Sequence, residues 1–182
     1  MKMNRVITGE GRGAYVNLLT PKEALGGGDP KYSLTLLIPK SDTETKADID
    51  VAIAAAKQYA TENKWAGATP PNPRTPLADG DELKPNGEPY PENFKGHWVL
   101  NCSSTSKPDA ITLSGKPITE DQAYSGAYYS VAVTMFGYSA GGNRGISAAL
   151  DNVLFIRDGE RFGQTPSAQD DFADLLKRLA NQ

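Results

Sequence analysis

The 182-residue sequence predicts a mainly β protein: an antiparallel barrel or sandwich of five or six strands, with one internal helix and one C-terminal helix. Three observations lead there. Period-two alternation of apolar and polar residues recurs in several short segments. Gly (18) and Pro (13) are abundant and fall between those segments as turns. The helical period occurs in only two places, so the βαβ alternation of a parallel sheet is missing.

Each element has its own signal. In 13–19 (GAYVNLL), Ala14, Val16 and Leu18 share one parity and Tyr15 and Asn17 the other; Pro21 and the run 26–30 (GGGDP) predict a loop. Residues 31–38 (KYSLTLLI) form the clearest strand, with Tyr32, Leu34, Leu36 and Ile38 on one face and Lys31, Ser33 and Thr35 on the other. From Asp42 to about Trp65 the period changes: Ile49, Ile53, Ala56 and Ala60 sit at helical spacing, and Thr45 with Asp48 resembles a capping box. Residues 66–92 hold seven of the thirteen prolines and predict an extended loop insertion without regular elements.

Strands resume at 96–102 (GHWVLNC), 110–113 (AITL), 127–138 (AYYSVAVTMFGY) and 146–156 (ISAALDNVLFI), the last two joined by a Gly-rich turn. A final amphipathic helix starts at about Ser167, which can cap it with Asp170 three residues on; Phe172, Leu175, Leu176 and Leu179 form the stripe expected to be buried.

Composition bounds the function. Hydrophobic residues at 38% and charged residues at 23% suit a globular chain, read as a single domain over 1–182. No apolar run approaches the roughly 20 residues of a membrane span, and Met1–Arg5 has no apolar stretch behind it, so neither a membrane partner nor a signal peptide is expected. A lone Cys102 rules out an internal disulfide and points to the cytoplasm. The net charge of −3 hides a segregation: residues 1–40 carry six Lys/Arg against three Asp/Glu and 93–118 carry three against one, while 41–92 carry five against ten and 119–182 five against eight. Local basic surface, not a basic total, is what a nucleic acid requires.

Catalysis finds little footing. His97 and Cys102 are single, no nucleophile elbow or Walker loop is present, and no zinc spacing exists. Asp79, Asp81 and Glu82 lie in the Pro-rich segment, and Asp170 and Asp171 fall in a helix first turn, where acids complement the dipole. The expectation is a protein without enzymatic activity, metal or cofactor.

The segment 127–138 carries the positive signal. Tyr129, Val131, Val133 and Met135 belong inside; the opposite parity reads Tyr128, Ser130, Ala132, Thr134, Phe136 and Tyr138, polar in its middle and aromatic at both ends. Exposed rings on a barrel wall suit stacking on unpaired bases, because every base has a π-face. Arg5, Arg12, Lys31, Lys95, Lys107 and Arg144 are candidate phosphate contacts, Lys107 within a hydroxyl-rich loop 103–107 (SSTSK) and Arg144 on a Gly-rich turn. Tyr15, on the polar parity of the first strand, joins the stacking candidates.

The segment 124–163 (YSGAYYSVAVTMFGYSAGGNRGISAALDNVLFIRDGERFG), the following PSAQDDF at 166–172 and the opening KYSLTLLIPK at 31–40 resemble the phage single-stranded DNA-binding proteins of OB-fold type. The resemblance covers most of the chain. It implies an OB-fold-like barrel that protects unpaired DNA in phage replication or recombination, in the host cytoplasm, with replication or recombination proteins as partners and no cofactor. It places Tyr124, Tyr128, Phe136, Tyr138 and Arg144 on the DNA face and gives Gly126 and Gly145 structural roles. One departure stands out: where many such proteins carry an acidic tail that recruits partners, this sequence reads LKRLANQ. Pairing through barrel edges leaves a homodimer open. The competing readings are a non-catalytic virion or assembly barrel and a metal-dependent nuclease.

Overall fold

A computed structural model describes residues 3–23, 27–162 and 168–181, apart from the side chains of 169 and 170. The elements in order are β1 (Arg5–Ile7), β2 (Gly11–Lys22), β3 (Lys31–Pro39), α1 (Thr43–Asn63), β4 (Leu77–Asp79), β5 (His97–Ser104), β6 (Asp109–Ile111), β7 (Tyr128–Ala140), β8 (Asn143–Arg157) and α2 (Ala168–Ala180). Five of the strands close on themselves: β2 pairs β3, β3 pairs β5, β5 pairs β8, β8 pairs β7, and β7 returns to β2. The ring is antiparallel except at β5–β8, which runs parallel through Ser103 and Ala149. Closure at that seam is a single register pair, which leaves residues 98–100 of β5 with an edge open to a further strand. The short strands β1, β4 and β6 add to β7, β5 and β8 from outside the ring.

The inward parity fills the barrel. Leu34, Leu36 and Ile38 of β3, Leu100 and Cys102 of β5, Tyr129, Val131, Val133 and Met135 of β7, and Ile146, Ala148 and Leu150 of β8 form one buried cluster. Helix α1 lays Ile49, Ala52, Ala56 and Ala60 against it. Its C-terminal end clamps β7: Lys64 Nζ donates to the Gly137 carbonyl at 2.9 Å, and the buried Trp65 donates through Nε1 to the Tyr138 carbonyl at 3.1 Å. The strand segment carrying Phe136 and Tyr138 is thereby fixed from behind.

A second, smaller cluster lies outside the barrel. Leu37 and Val99 are register partners whose side chains point away from the core, and they pack with Ala14 and Phe94, covered further by Tyr90 and Phe162. This cover blankets one end of the outer β3–β5 face. The other end, with Ser33 opposite Ser103 and Thr35 opposite Asn101, stays uncovered by it.

The structure departs from expectation in five places. β2 runs on through Pro21 to Lys22, so the loop begins later; Gly26 lies outside the described residues. The N-cap of α1 is Asp42, which accepts from the Thr45 amide at 3.0 Å, rather than Thr45 itself. The Pro-rich segment contains β4, since Leu77–Asp79 finds partners in Leu100, Val99 and Trp98 once β5 lies alongside. Among the described residues eight strands form where five or six were expected, the additional ones being three-residue pieces too short to show a period. The α2 stripe is not buried: Phe172, Leu175, Leu176 and Leu179 are 41–56% exposed. The expected Ser167 cap lies outside the described residues. Among the described residues no helix is long and apolar enough to cross a membrane.

Candidate nucleic-acid interface

The uncovered end of the β3–β5 face forms the floor of an open groove of about 410 Å³. Ser33, Thr35, Asn101 and Ser103 supply a floor of small polar groups, with the Thr35 hydroxyl donating to Asn101 Oδ1 at 2.8 Å. Tyr15 and Tyr138 line the same groove, and Arg74 lines it from the Pro-rich segment. An adjoining depression between residues 70–74 and the β7–β8 turn shares Tyr138 and Arg74 and adds Arg144. Among the described residues no Asp or Glu lines either depression.

Local backbone chemistry puts these side chains there. A bulge in β2 between Ala14 and Asn17 leaves Tyr15 in the left-handed region at φ 49°, the residue 59% exposed, and Asn17 Nδ2 donates to the Tyr15 carbonyl at 3.0 Å. Bulges commonly re-aim a side chain in this way. Gly141 and Gly142, at φ 56° and 84°, form the two-residue turn that closes the β7–β8 hairpin and presents Arg144 just beyond it. Gly145 permits a close approach: a Cβ there would meet the Tyr138 hydroxyl at 2.8 Å and the Arg74 carbonyl at 2.9 Å. That carbonyl accepts from the Ile146 amide at 2.7 Å, which ties the Arg74 segment to the barrel wall.

Two further cations stand at one end of the floor. Lys31 opens β3 beside its register partner Lys22, and Lys107 follows β5 by three residues at the same end of the β3–β5 pair. Phe136, 39% exposed, lies two residues before Tyr138 on the same strand parity, with Lys64 Nζ 5.9 Å from its ring centre.

Three of the expected site residues lie elsewhere, at the opposite end of β7. Tyr124 is buried; its hydroxyl donates to Asp158 Oδ1 at 2.7 Å, and burial raises its pKa, helped by that carboxylate. Tyr128, half-buried, has Arg157 at 3.7 Å and Arg12 at 5.7 Å from its ring centre, so two cations of the chain itself already approach the ring. Arg12 donates through Nε to the Gly126 carbonyl at 3.0 Å and through Nη2 to the Glu160 carbonyl, and its guanidinium covers Phe162 at 4.2 Å. Together they lock the segment after β8 onto the barrel. Gly126, at φ 117°, lies where any Cβ would strike the Glu160 carbonyl, which fits the structural role expected of it.

Sequence reasoning passed over Arg74, Asn101, Ser33 and Thr35 as site residues, and met Ser103 only as part of the hydroxyl-rich segment 103–107. Arg74 had one signal, being the only basic residue between Pro70 and Pro76. The floor residues showed only a polar parity on separate strands, and it is the β3–β5 pairing that brings them together. Cys102 sits beneath the floor; its thiol donates to the Leu34 carbonyl at 3.2 Å, and burial pushes its pKa up to about 12, far from a nucleophile's range.

Numbering the five ring strands in chain order gives the spatial order 1-2-3-5-4 with a groove across strands 2 and 3, which defines an OB-fold protein of the oligonucleotide-binding kind. The chain belongs to the family described as "Enterobacter phage Enc34, ssDNA-binding protein", whose model matches residues 4–180. It is 31% identical over 188 residues to putative protein p50 of Acyrthosiphon pisum secondary endosymbiont phage 1, covering 96% of this chain and 93% of that one. The structure of the single-stranded DNA-binding protein from bacteriophage Enc34 in complex with ssDNA superposes with a TM-score of 0.77 at 26% identity, over 89% of this chain and 91% of that one. The gp2.5 single-stranded DNA-binding protein of bacteriophage T7 shares the fold, with a TM-score of 0.60 at 14% identity over 93% of each chain.

Proposed function

We propose that this protein binds single-stranded DNA along the outer β3–β5 face and coats and protects it during phage replication or recombination in the host cytoplasm. The observation that carries the reading is a groove with no carboxylate among the described residues that line it, rimmed by Tyr15 and Tyr138 and by Arg74, on a chain whose net charge is −3. Bases stack on Tyr138, Tyr15 and the neighbouring Phe136, and the small floor groups Ser33, Thr35, Asn101 and Ser103 let the strand lie close. Arg74, Arg144, Lys31 and Lys107 hold phosphates, and no covalent chemistry or cofactor enters. The Enc34 protein, whose structure holds ssDNA, supports the reading through family membership. Stacking needs unpaired bases, since a duplex buries their faces in its own stack. The test is a titration of labelled dT oligonucleotides against duplex of equal length, followed by fluorescence anisotropy. Preferential binding of the single strand is expected; equal affinity for both, or no binding to dT, overturns the reading.

A further inference from the structure

Two features remain without a partner, and each has what the other lacks. Helix α2 carries Phe172, Leu175, Leu176 and Leu179 at the spacing of a single stripe, all of them at least 41% exposed. A helix of this length is marginal in water unless its apolar face is covered. Adjoining the DNA groove, with which it shares Arg74, Thr75 and Asn101, α1, β4 and residues 82–90 enclose an open groove of about 1020 Å³. Its apolar lining comes from Ile53, Leu77, Ala78, Leu83, Tyr90 and Trp98, with Leu83 65% exposed.

Length and charge also match. Lys46 and Lys57 line the α1 side eleven residues apart, about 16 Å along the helix axis, and α2 with 13 residues is about 20 Å long. One end of the groove is marked by Trp98, with Lys46 Nζ 4.7 Å from its ring centre, and by Asp79, the register partner of Trp98. At that end Asp50 and Asp79 are already neutralised by Lys46 at 2.5 Å and Lys40 at 2.6 Å, and Glu82 is left without an ion pair among the described residues. The other end holds Lys57 and Arg74, likewise without ion pairs there. Along α2, Asp171 and Asp174 precede Lys177 and Arg178. With the stripe facing down, the helical period leaves Asp171 and Arg178 on one flank of it and turns Asp174 and Lys177 away, so an inserted α2 sets Asp171 against Lys57 and Arg178 against Glu82.

We infer that α2 of one copy of this chain docks, apolar stripe down, into the α1–β4 groove of a second copy. Within the chain itself both surfaces are exposed, and a contact between copies covers both at once. The contact is heterologous, helix to groove, so it does not close into a dimer and can repeat from copy to copy. Copies held side by side on a strand would meet at high effective concentration, and the contact would appear as cooperativity on long DNA.

Cross-linking between differently substituted full-length chains tests this. Ala54→Cys places a thiol on the exposed α1 wall of the groove and Leu176→Cys places one on the stripe, and the native Cys102 is buried. Mixing the two variants under oxidation is expected to give a heterodimer as the main product, with or without DNA. Predominant Leu176→Cys homodimers would mean that helices pair with each other, cross-linking only within a chain carrying both substitutions would mean that α2 folds back, and no cross-link would mean no docking; each overturns the inference. In a second arm, Leu175→Ser with Leu176→Ser should lower cooperativity on poly-dT by about tenfold or more while affinity for a one-site dT oligomer is unchanged. A loss on the short oligomer would place α2 at the DNA groove, and unchanged cooperativity would also overturn the proposal. The cross-link does not require DNA, so it can succeed even if the single-strand reading fails.

Discussion

Tyr128 and Tyr138 share one parity of one strand, and their surroundings give them opposite work. Tyr138 opens onto a groove with no carboxylate among the described residues that line it, while Tyr128 is flanked by Arg12 and Arg157, the latter held by Glu10 at 2.7 Å. Losing a stacking platform costs about 1–3 kcal/mol per base, so Tyr138→Ala should weaken dT binding by about 5- to 150-fold with little change in melting temperature. Tyr128→Ala should do the reverse. It removes two cation–π contacts of about 0.5–1 kcal/mol each and loosens the segment after β8, which lowers the melting temperature and leaves affinity near wild type. Anisotropy titration and thermal denaturation of both variants check the pair; equal loss of affinity in the two would erase the distinction between the ends of β7. Phe136 falls between these cases, since Lys64 approaches its ring and 39% of it remains exposed.

At the scale of elements, what could be read from the sequence depended on whether an element carried its own period. Strand β7 alternates from Tyr128 to Tyr138 except at the buried Ala132, and α1 keeps its apolar residues at helical spacing, so the inward residues expected of each are found buried. Strand β4 could not emerge: three residues after Pro76 have no period, and Leu77–Asp79 becomes a strand only because β5 offers it a free edge. The stripe of α2 was legible but its fate was not, because amphipathicity shows that a face needs cover without showing what covers it. The groove was half legible for the same reason. Tyr138 and Arg144 lie on one hairpin, whereas Arg74 and Asn101 reach the site through contacts far apart in sequence. Gly145 is where those distant pieces join, which makes it a sharp test of the element-level account. Gly145→Ala forces a methyl group against the Tyr138 hydroxyl and the Arg74 carbonyl, and overpacking of this kind costs about 1–3 kcal/mol. The expected result is a lower melting temperature together with weaker dT binding, because the Arg74 segment must move off the wall. A stable variant with full affinity would show that the Arg74 carbonyl contact does not organise the site.

Over the whole molecule, a chain of net charge −3 must approach a polyanion, and only the arrangement of its charges makes that favourable. Repulsion from the acidic segments is diffuse and is screened beyond about 8–10 Å at ordinary ionic strength, while on the proposed path Arg74, Arg144, Lys31 and Lys107 would act at contact distance. Each phosphate neutralised on a single strand releases counterions and contributes about 0.7 to the fall of log K with log salt. Four such contacts give a slope of about −3, modest for a nucleic-acid-binding protein and consistent with stacking carrying much of the affinity. Arg144→Ala should bring the slope about 0.7 closer to zero, and Arg74→Ala should do the same. Lys95→Ala is the control: Lys95 is exposed but paired with Glu92 at 3.4 Å, beside Phe94 on the covered end of the β3–β5 face, so its loss should leave the slope unchanged. Affinities of the four proteins for a dT oligomer across a series of salt concentrations yield the slopes directly. A wild-type slope near zero, or a Lys95→Ala effect as large as that of Arg144→Ala, would move the phosphate path off this groove.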